Sequence, residues 1–420
     1  MSPRARLPLL LGPLLVCLLG ALWWQGHRAS APVEPGPTAQ SGFWALDPEG
    51  AHRLDKKGGE DRARALSLPY TAGGAQVGTE GVGVVFHDAA HTWPGRNLYV
   101  SGHGAEAILV AMDGRFLRRW RYPFERAFPG VQPRVDATFF RRVLPLADGS
   151  VVGLYQGFGL VKLDADSNPL WVRPGAFFNH LVQDGDGRLY TLAKEAREIP
   201  ALRDPELGPV LEDFLVILDP EGAELRRISI LEALRRSPFA HHLERRIPGA
   251  DLLHSNTVVL LDPAWAGYGA AWQGGEVLLS LRELDLLVVL DLDTEVIVHA
   301  LHGPWRRQHQ PTPLRDGSLL LVDNRGYQGG ARLLWLDPED GTVRRQFPPE
   351  GDPPLKSAQA GSCAELPNGN ILVVESERGR AFELTPQGQI SWEFRSPHRA
   401  GPEGELVAYL FDVLRIPEDR

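Results

Sequence analysis

Three histidines open equivalent strands of a repeating pattern: His180 in His-Leu-Val-Gln-Asp-Gly, His254 in His-Ser-Asn-Thr-Val-Val-Leu-Leu, and His309 in His-Gln-Pro-Thr-Pro-Leu-Arg-Asp-Gly. Imidazole, with an unperturbed pKa of about 6.5, can act as acid, base or nucleophile near neutrality. Arg325 follows Asp323-Asn324 at the end of the next apolar strand, where a guanidinium can clamp an oxyanion through two parallel N–H donors. Such a set suits capture of a small anion and transfer of a proton or group through a ring nitrogen. One histidine at a strand start is more often a hydrogen-bonded structural residue, and an arginine after a turn is commonly just a turn residue. The weight falls on the recurrence in register.

That register needs elements to hold it. From Gly81 onward one unit recurs: an apolar strand, a tight turn containing glycine, a β-rich strand, a third strand ending in Asp, and a fourth that often carries an aromatic residue. Copies begin near Asn97, Arg142, His180, His254, His309 and Ser362. Asp-Gly and Asn-Gly turns recur at matching places, a strong local hairpin signal. Six units of four strands predict an all-β fold, a six-bladed β-propeller over residues 81–420, because packing blade on blade around an axis buries both faces of each sheet. Trp120, Trp171 and Trp392 near unit ends fit inter-blade packing. The C-terminal Tyr409-Leu-Phe-Asp-Val-Leu-Arg-Ile can return to the first blade as a closing strand. Insertions near residues 194–213 and 231–249 break the period, and the second reads as short helices that could roof one end of the axis. His241-His242 there lacks acidic or cysteine partners at helical spacing, so no metal site is expected. In a propeller the innermost strands line the channel, so His180, His254 and His309 should converge on one mouth.

Bulk composition sets limits. The chain of 420 residues is 43% hydrophobic and 23% charged, ordinary for a protein with a sizeable core. Its net charge of −9 argues against nucleic acid as a partner. Of two cysteines, Cys17 lies in an N-terminal apolar run, leaving Cys363 alone in the folded part, with no intrachain disulfide and no cysteine metal site expected. Arg4 and Arg6 precede the apolar run Leu7 to Trp24, which reads residues 1–30 as a signal peptide or a signal anchor and places the rest outside the cytoplasm, periplasmic or held to the membrane through residues 7–24. Residues 31–80 read as a linker and N-terminal extension.

The chain resembles the bacterial arylsulfotransferase family across residues 81–420. The likeness rests on Asp251-Leu-Leu-His254-Ser-Asn256-Thr-Val, Gly303-Pro-Trp-Arg-Arg-Gln-His309, Leu321-Val-Asp-Asn324-Arg325-Gly, and Leu366-Pro-Asn-Gly-Asn-Ile-Leu followed by Glu375-Ser-Glu-Arg-Gly-Arg. Family enzymes are exported six-bladed propellers that move a sulfuryl group from an aryl sulfate to a phenol through a histidine. The resemblance implies that His254, His309 and Arg325 are catalytic, with His180, Asn256 and Asn324 lining a site for a small aromatic sulfate or phenol. Sulfuryl transfer spreads charge over peripheral oxygens, as phosphoryl transfer does, and demands no metal or diffusible cofactor. One departure stands out: the family's covalent histidine lies in the last blade, and the corresponding strand here, Ile371 to Ser376, has none. His254 or His309 could carry the covalent role, transfer could be direct, or the protein could be a non-catalytic propeller that binds a small anion or a protein partner. Cys363 is a further candidate nucleophile, although a buried free cysteine usually only packs, and His398 reads as a loop residue.

Overall fold

The computed structural model describes residues 73–76, 81–131, 138–199, 202, 210–245, 251–267, 272–400 and 403–418. The segment read as signal or anchor and most of the linker lie outside these residues. Among the described residues no helix is long and apolar enough to cross a membrane.

The strands form six antiparallel blades. Their innermost strands are Leu410–Ile416, Phe140–Pro145, Phe177–Gln183, Ser255–Leu260, His309–Pro313 and Ser362–Glu365 for the first to sixth blades. The expected propeller is therefore present. Its hairpins follow from local chemistry. In the second, fifth and sixth blades an Asx-Gly pair links the inner strand to the next one: the glycines Gly149, Gly317 and Gly369 take φ of 81°, 81° and 83°, a region open to glycine and strained for other residues. Asp148, Asp316 and Asn368 each accept a hydrogen bond from the N–H two residues on, at 2.9, 2.9 and 3.1 Å, which fixes the turn.

The first blade takes its inner strand from the C-terminus, as expected: Leu410 pairs with Ser101 and Ile416 with Arg96. The N-terminal side contributes something the repeat did not reveal. Gly83–His87 adds a fifth, outermost strand to the sixth blade, pairing from Gly83↔Arg395 to His87↔Trp392. Gly73–Gln76 joins Leu406–Ala408 and Arg399–Ala400 in a small separate sheet. Two of the tryptophans bridge blades: Trp392 Nε1 donates to Met112 O and Trp171 Nε1 to Pro220 O, both at 3.1 Å. Trp120 is buried in an aromatic cluster with Phe124, Phe128 and Tyr155.

Among its described residues the first insertion is largely strand. Leu189–Arg197 and Val210–Leu218 pair residue for residue up to Arg197↔Val210, carrying the third blade past the start of its inner strand, where Phe177 pairs with Ala193. The second insertion is helical as expected, with an α-helix over Ile230–Arg235 and a 3-10 helix over Ala240–Arg245. Ser229 caps the former by accepting from Glu232 N.

Side chains tie adjacent blades near the mouth. Asn179 Nδ2 donates to Ser255 O at 3.0 Å, Asn256 Nδ2 to Gln308 O at 2.7 Å and Asn324 Nδ2 to Ala360 O at 2.7 Å. Ring closure falls to Asp412 on the C-terminal strand, which accepts from Ser362 Oγ at 2.8 Å and pairs with Arg142 at 3.0 Å. Arg142 is only 13% exposed, so Asp412→Ala strands a buried guanidinium and should cost about 3–5 kcal/mol in chemical denaturation. Ser362→Ala removes a single hydrogen bond and should cost about 1 kcal/mol. Equal, small losses in both variants would show that the ring is not held at Asp412.

Candidate active site

In five of six blades the inner strand slips register at the same level, between Phe140/Arg142, Phe178/Leu181, Ser255/Thr257, His309/Thr312 and Leu410/Asp412. Such bulges re-aim side chains. The residues at or beside them are Arg141, Asn179 and His180, His254 and Asn256, His309 and Gln310, and Phe411. Asn179, His254 and Gln310 hold φ of 57°, 47° and 48°, a conformation that non-glycine residues keep where their surroundings enforce it.

The extended third-blade hairpin places His254. Asp251 forms a parallel bridge with Leu211, and its Oδ2 lies 2.5 Å from His254 Nδ1. Its Oδ1 contacts Lys194 Nζ, which lies 3.3 Å from Asp213 Oδ1. Asp213 Oδ2 accepts from Ser255 N at 2.6 Å. Burial pushes both carboxyls up. At Asp213 it prevails, whereas Lys194 and His254 outweigh it at Asp251 and hold that group well below the usual carboxylate range. Burial, aided by Arg282 and Lys194, lowers the His254 pKa against the pull of Asp251. The ring is then neutral near pH 7, donates Nδ1–H to Asp251, and leaves Nε2 as a basic site.

His309 is held the same way round. Its Nδ1 lies 2.7 Å from Asn324 Oδ1 and 3.1 Å from Arg307 O. Asn324 Nδ2 donates to the carbonyls of Ser357 and Ala360, so its oxygen must face the imidazole. Two acceptors at Nδ1 put the proton there and leave Nε2 with its lone pair. Burial and the Arg282 charge push the His309 pKa down to about 3, with Arg141 and His254 adding to the effect.

Two cations near these rings escaped the sequence reading. Arg282 is 12% exposed and paired with Glu283 at 2.6 Å, while its Nε is a buried donor without a partner among the described residues. Arg307, Asp251 and Arg325 lie close enough to bear on its charge. Arg141 stacks on the Phe411 ring at 4.6 Å and acts on both His309 and His180. Both were within reach of the register argument: Arg141 stands at the start of the second blade's inner strand, and Arg282 directly follows the fourth blade's second strand, Val277–Leu281, while Arg325 lies near the end of the fifth blade's, Leu319–Tyr327.

The six residues named from sequence divide. His254 and His309 come together at the mouth. Arg325 is on its rim, exposed, with Nε 3.3 Å from Ala358 O. Asn324 is the group that orients His309. Asn256 is engaged between blades, its Oδ1 accepting from Thr257 Oγ1 at 3.0 Å. His180 lies deeper in the channel, Nε2 3.3 Å from Gln310 Oε1. In the sixth blade the strand without a histidine ends in Glu375, bonded to Lys356 N at 2.6 Å and Arg380 at 3.1 Å. His398 is more than a loop residue: it bonds Tyr99 OH at 3.0 Å and stacks on His103 at 3.4 Å. Cys363 is buried, and burial raises its thiol to about 12, leaving almost no thiolate near neutrality.

The neutral state of His309 has a measurable consequence. The unfolded ring binds a proton near pH 6.5 and the folded one near 3. The unfolded state therefore holds more protons in that interval, and the stability contributed by the neutral ring is complete above about pH 6.5 and lost as pH falls toward 3. His309→Gln should flatten the fall in stability on acidification by up to about 1.4 kcal/mol per pH unit. Urea unfolding at several pH values between about 7 and 5 reads it; a slope equal to the wild type would mean that His309 titrates normally in the folded protein.

Residues 146–397 match the family model described as Arylsulfotransferase (ASST). No curated protein matches the chain. Among solved structures, a protein of unknown function from Bacteroides caccae is 10% identical with a TM-score of 0.49, the alignment covering 78% of this chain and 100% of that one. A streptogramin B lyase is 10% identical with a TM-score of 0.44, covering 78% and 91%, and the virginiamycin B lyase of Staphylococcus aureus is 12% identical with a TM-score of 0.36, covering 63% and 71%. Likenesses this distant carry no argument about chemistry. The family match spans well over half of the sequence and falls on the blades that carry both mouth histidines, and the chain belongs to the arylsulfotransferase family.

Proposed function

We propose that this protein transfers a sulfuryl group from an aryl sulfate to a phenolic acceptor, with His309 Nε2 as the nucleophile. The observation that carries this reading is the fixed tautomer of His309, neutral, with Nδ1–H held by Asn324 and Arg307 O. In the first half-reaction Nε2 attacks sulfur, an N–S bond forms, and the S–O(aryl) bond breaks with its electron pair leaving on the aryl oxygen. In the second, the acceptor phenol attacks sulfur, the N–S bond breaks, and the phenol proton passes to His254 Nε2. Asp251 stabilises the imidazolium so formed. That proton is available for the aryl oxygen that leaves in the next cycle.

The peripheral sulfuryl oxygens gain charge in both steps. Arg282, with its unpartnered Nε, and Arg325 on the rim supply positive charge where it develops. We assign Asn324 and Asp251 to holding the two rings, and Asn256 to holding the blade that presents His254. The apolar run Leu7 to Trp24 behind Arg4 and Arg6 supports an exported location, with the segment cleaved or kept as an anchor.

The test is turnover of para-nitrophenyl sulfate with phenol as acceptor. Nitrophenol release should depend on phenol and fall at least about 1,000-fold in His309→Ala. Asp251→Asn should lose about 100-fold, chiefly in kcat. Arg325→Ala, at an exposed position, should lose about tenfold. Quenching the wild type with donor alone should trap a sulfuryl adduct on the peptide containing His309. An adduct on another residue, or full activity in His309→Ala, overturns the assignment. No release from any aryl sulfate favours the binding propeller.

A further inference from the structure

One buried ion cluster grips His254 at both its ring and its backbone. Asp251 holds the ring through Oδ2, and Asp213 Oδ2 accepts from the N–H of the next residue, Ser255, at 2.6 Å. The remaining oxygen of each carboxylate faces Lys194: Nζ contacts Asp251 Oδ1 and lies 3.3 Å from Asp213 Oδ1. Lys194 and Asp213 stand opposite each other on the two strands of the third blade's lengthened hairpin. Lys194 Nζ also lies 5.5 Å from the centre of the Phe178 ring on that blade's inner strand. Lys194 is 2% exposed and Asp213 1%, so water does little to screen the charges from one another.

A lysine is seldom buried this deeply, and a single carboxylate would satisfy its charge. Here it is spread over two, and both of them end on the adjacent residues His254 and Ser255. An Asp–His pair shielded from water and left to itself gathers the proton onto the ring, because an opposite charge within a few ångströms favours the charged form. Lys194 takes part of the Asp251 charge and opposes that, and Arg282 opposes it from beyond the fourth blade's second strand. The other groups that bear on the ring are His309 from the fifth blade, and Asp213, which acts through Lys194 and Asp251.

We infer that Lys194 is a positioning residue for His254: through Asp251 it withholds part of the carboxylate charge from the ring, so that His254 rests as a neutral base, with Asp213 balancing the buried lysine. This deepens the reading of His254 as the proton acceptor in sulfuryl transfer and rests on it.

The experiment follows the titration of His254 in the full-length protein with histidine labelled at its ring nitrogens, the signal being assigned by its loss in His254→Gln. Lys194→Met leaves two buried carboxylates facing each other, so Lys194→Met combined with Asp213→Asn, which removes the cation and one anion together, is made beside it. The His254 midpoint should rise by about one pH unit or more, roughly tenfold in proton affinity, in the double variant and in the single one if it folds. An unchanged or lowered midpoint in the folded double variant overturns the inference and leaves Lys194 as a neutraliser of buried acids. A double variant that cannot fold overturns it too, since the cluster would then hold the blades rather than tune the ring. In turnover of para-nitrophenyl sulfate with phenol, the acid limb of the kcat profile should move to higher pH by the same interval. Absence of turnover in the wild type defeats the sulfuryl-transfer reading, whereas the ring titration needs no substrate and decides the role of Lys194 by itself.

Discussion

A propeller has to be closed, and here one carboxylate holds the closure. Asp412 lies on the inner strand that the C-terminus lends to the first blade, and it reaches Ser362 in the sixth blade and Arg142 in the second. A strand pairing alone would leave the last blade attached by one edge. The buried ion pair adds a requirement of direction, because Arg142 is satisfied only when the C-terminal strand is in register. Arg142 also borders a cavity of about 300 Å3 lined by inner-strand residues of the third, fourth and fifth blades, so the closing ion pair sits beside that space. Gly83–His87 supplies a second fastening by covering the outer edge of the sixth blade, which would otherwise expose unpaired backbone groups.

At the mouth the same economy of buried charge decides what the histidines can do. Each ring is bonded through Nδ1, one to a carboxylate and one to an amide oxygen. The difference in partner sets the difference in role. Asp251 stabilises a positive ring, so His254 suits proton transfer. Asn324 carries no charge, and Arg282 opposes protonation, so His309 suits attack on sulfur, where a proton on Nε2 would abolish the nucleophile. Lys194 and His254 keep Asp251 ionised despite burial, which makes the extended third-blade hairpin part of the site's electrostatics.

Much of this was legible in the sequence. The Asx-Gly turns announce the hairpins, the period gives the blades, and the apolar C-terminus gives the closing strand. The placing of His254 and His309 at one mouth follows from their registers. His180 shows where that logic runs out. Strand side chains alternate with period two, and the third blade's slip between Phe178 and Leu181 adds residues that carry no compositional mark, so His180 falls below the level of the other two. The network of Asp213, Lys194 and Asp251 was hidden for another reason. Its members are separated by 57 residues between Lys194 and Asp251, and the segment between Lys194 and Asp213 reads as an insertion, since nothing local distinguishes a lengthened hairpin from a loop.

The histidine missing from the last blade fits the local structure. The sixth blade's inner strand, Ser362–Glu365, is the one that pairs with its neighbour without a register slip. Without a bulge there is no local device to turn a side chain at that level. Glu375 at the end of the second strand is committed to Arg380 and the Lys356 backbone, and Ser376 Oγ is buried without a partner among the described residues. The fifth blade, by contrast, has the bulge, the orienting amide and the neighbouring guanidinium in one place. If a sulfuryl group is to be carried covalently, the physics of the site locates the carrier in the blade where the strand bends and the ring is held neutral.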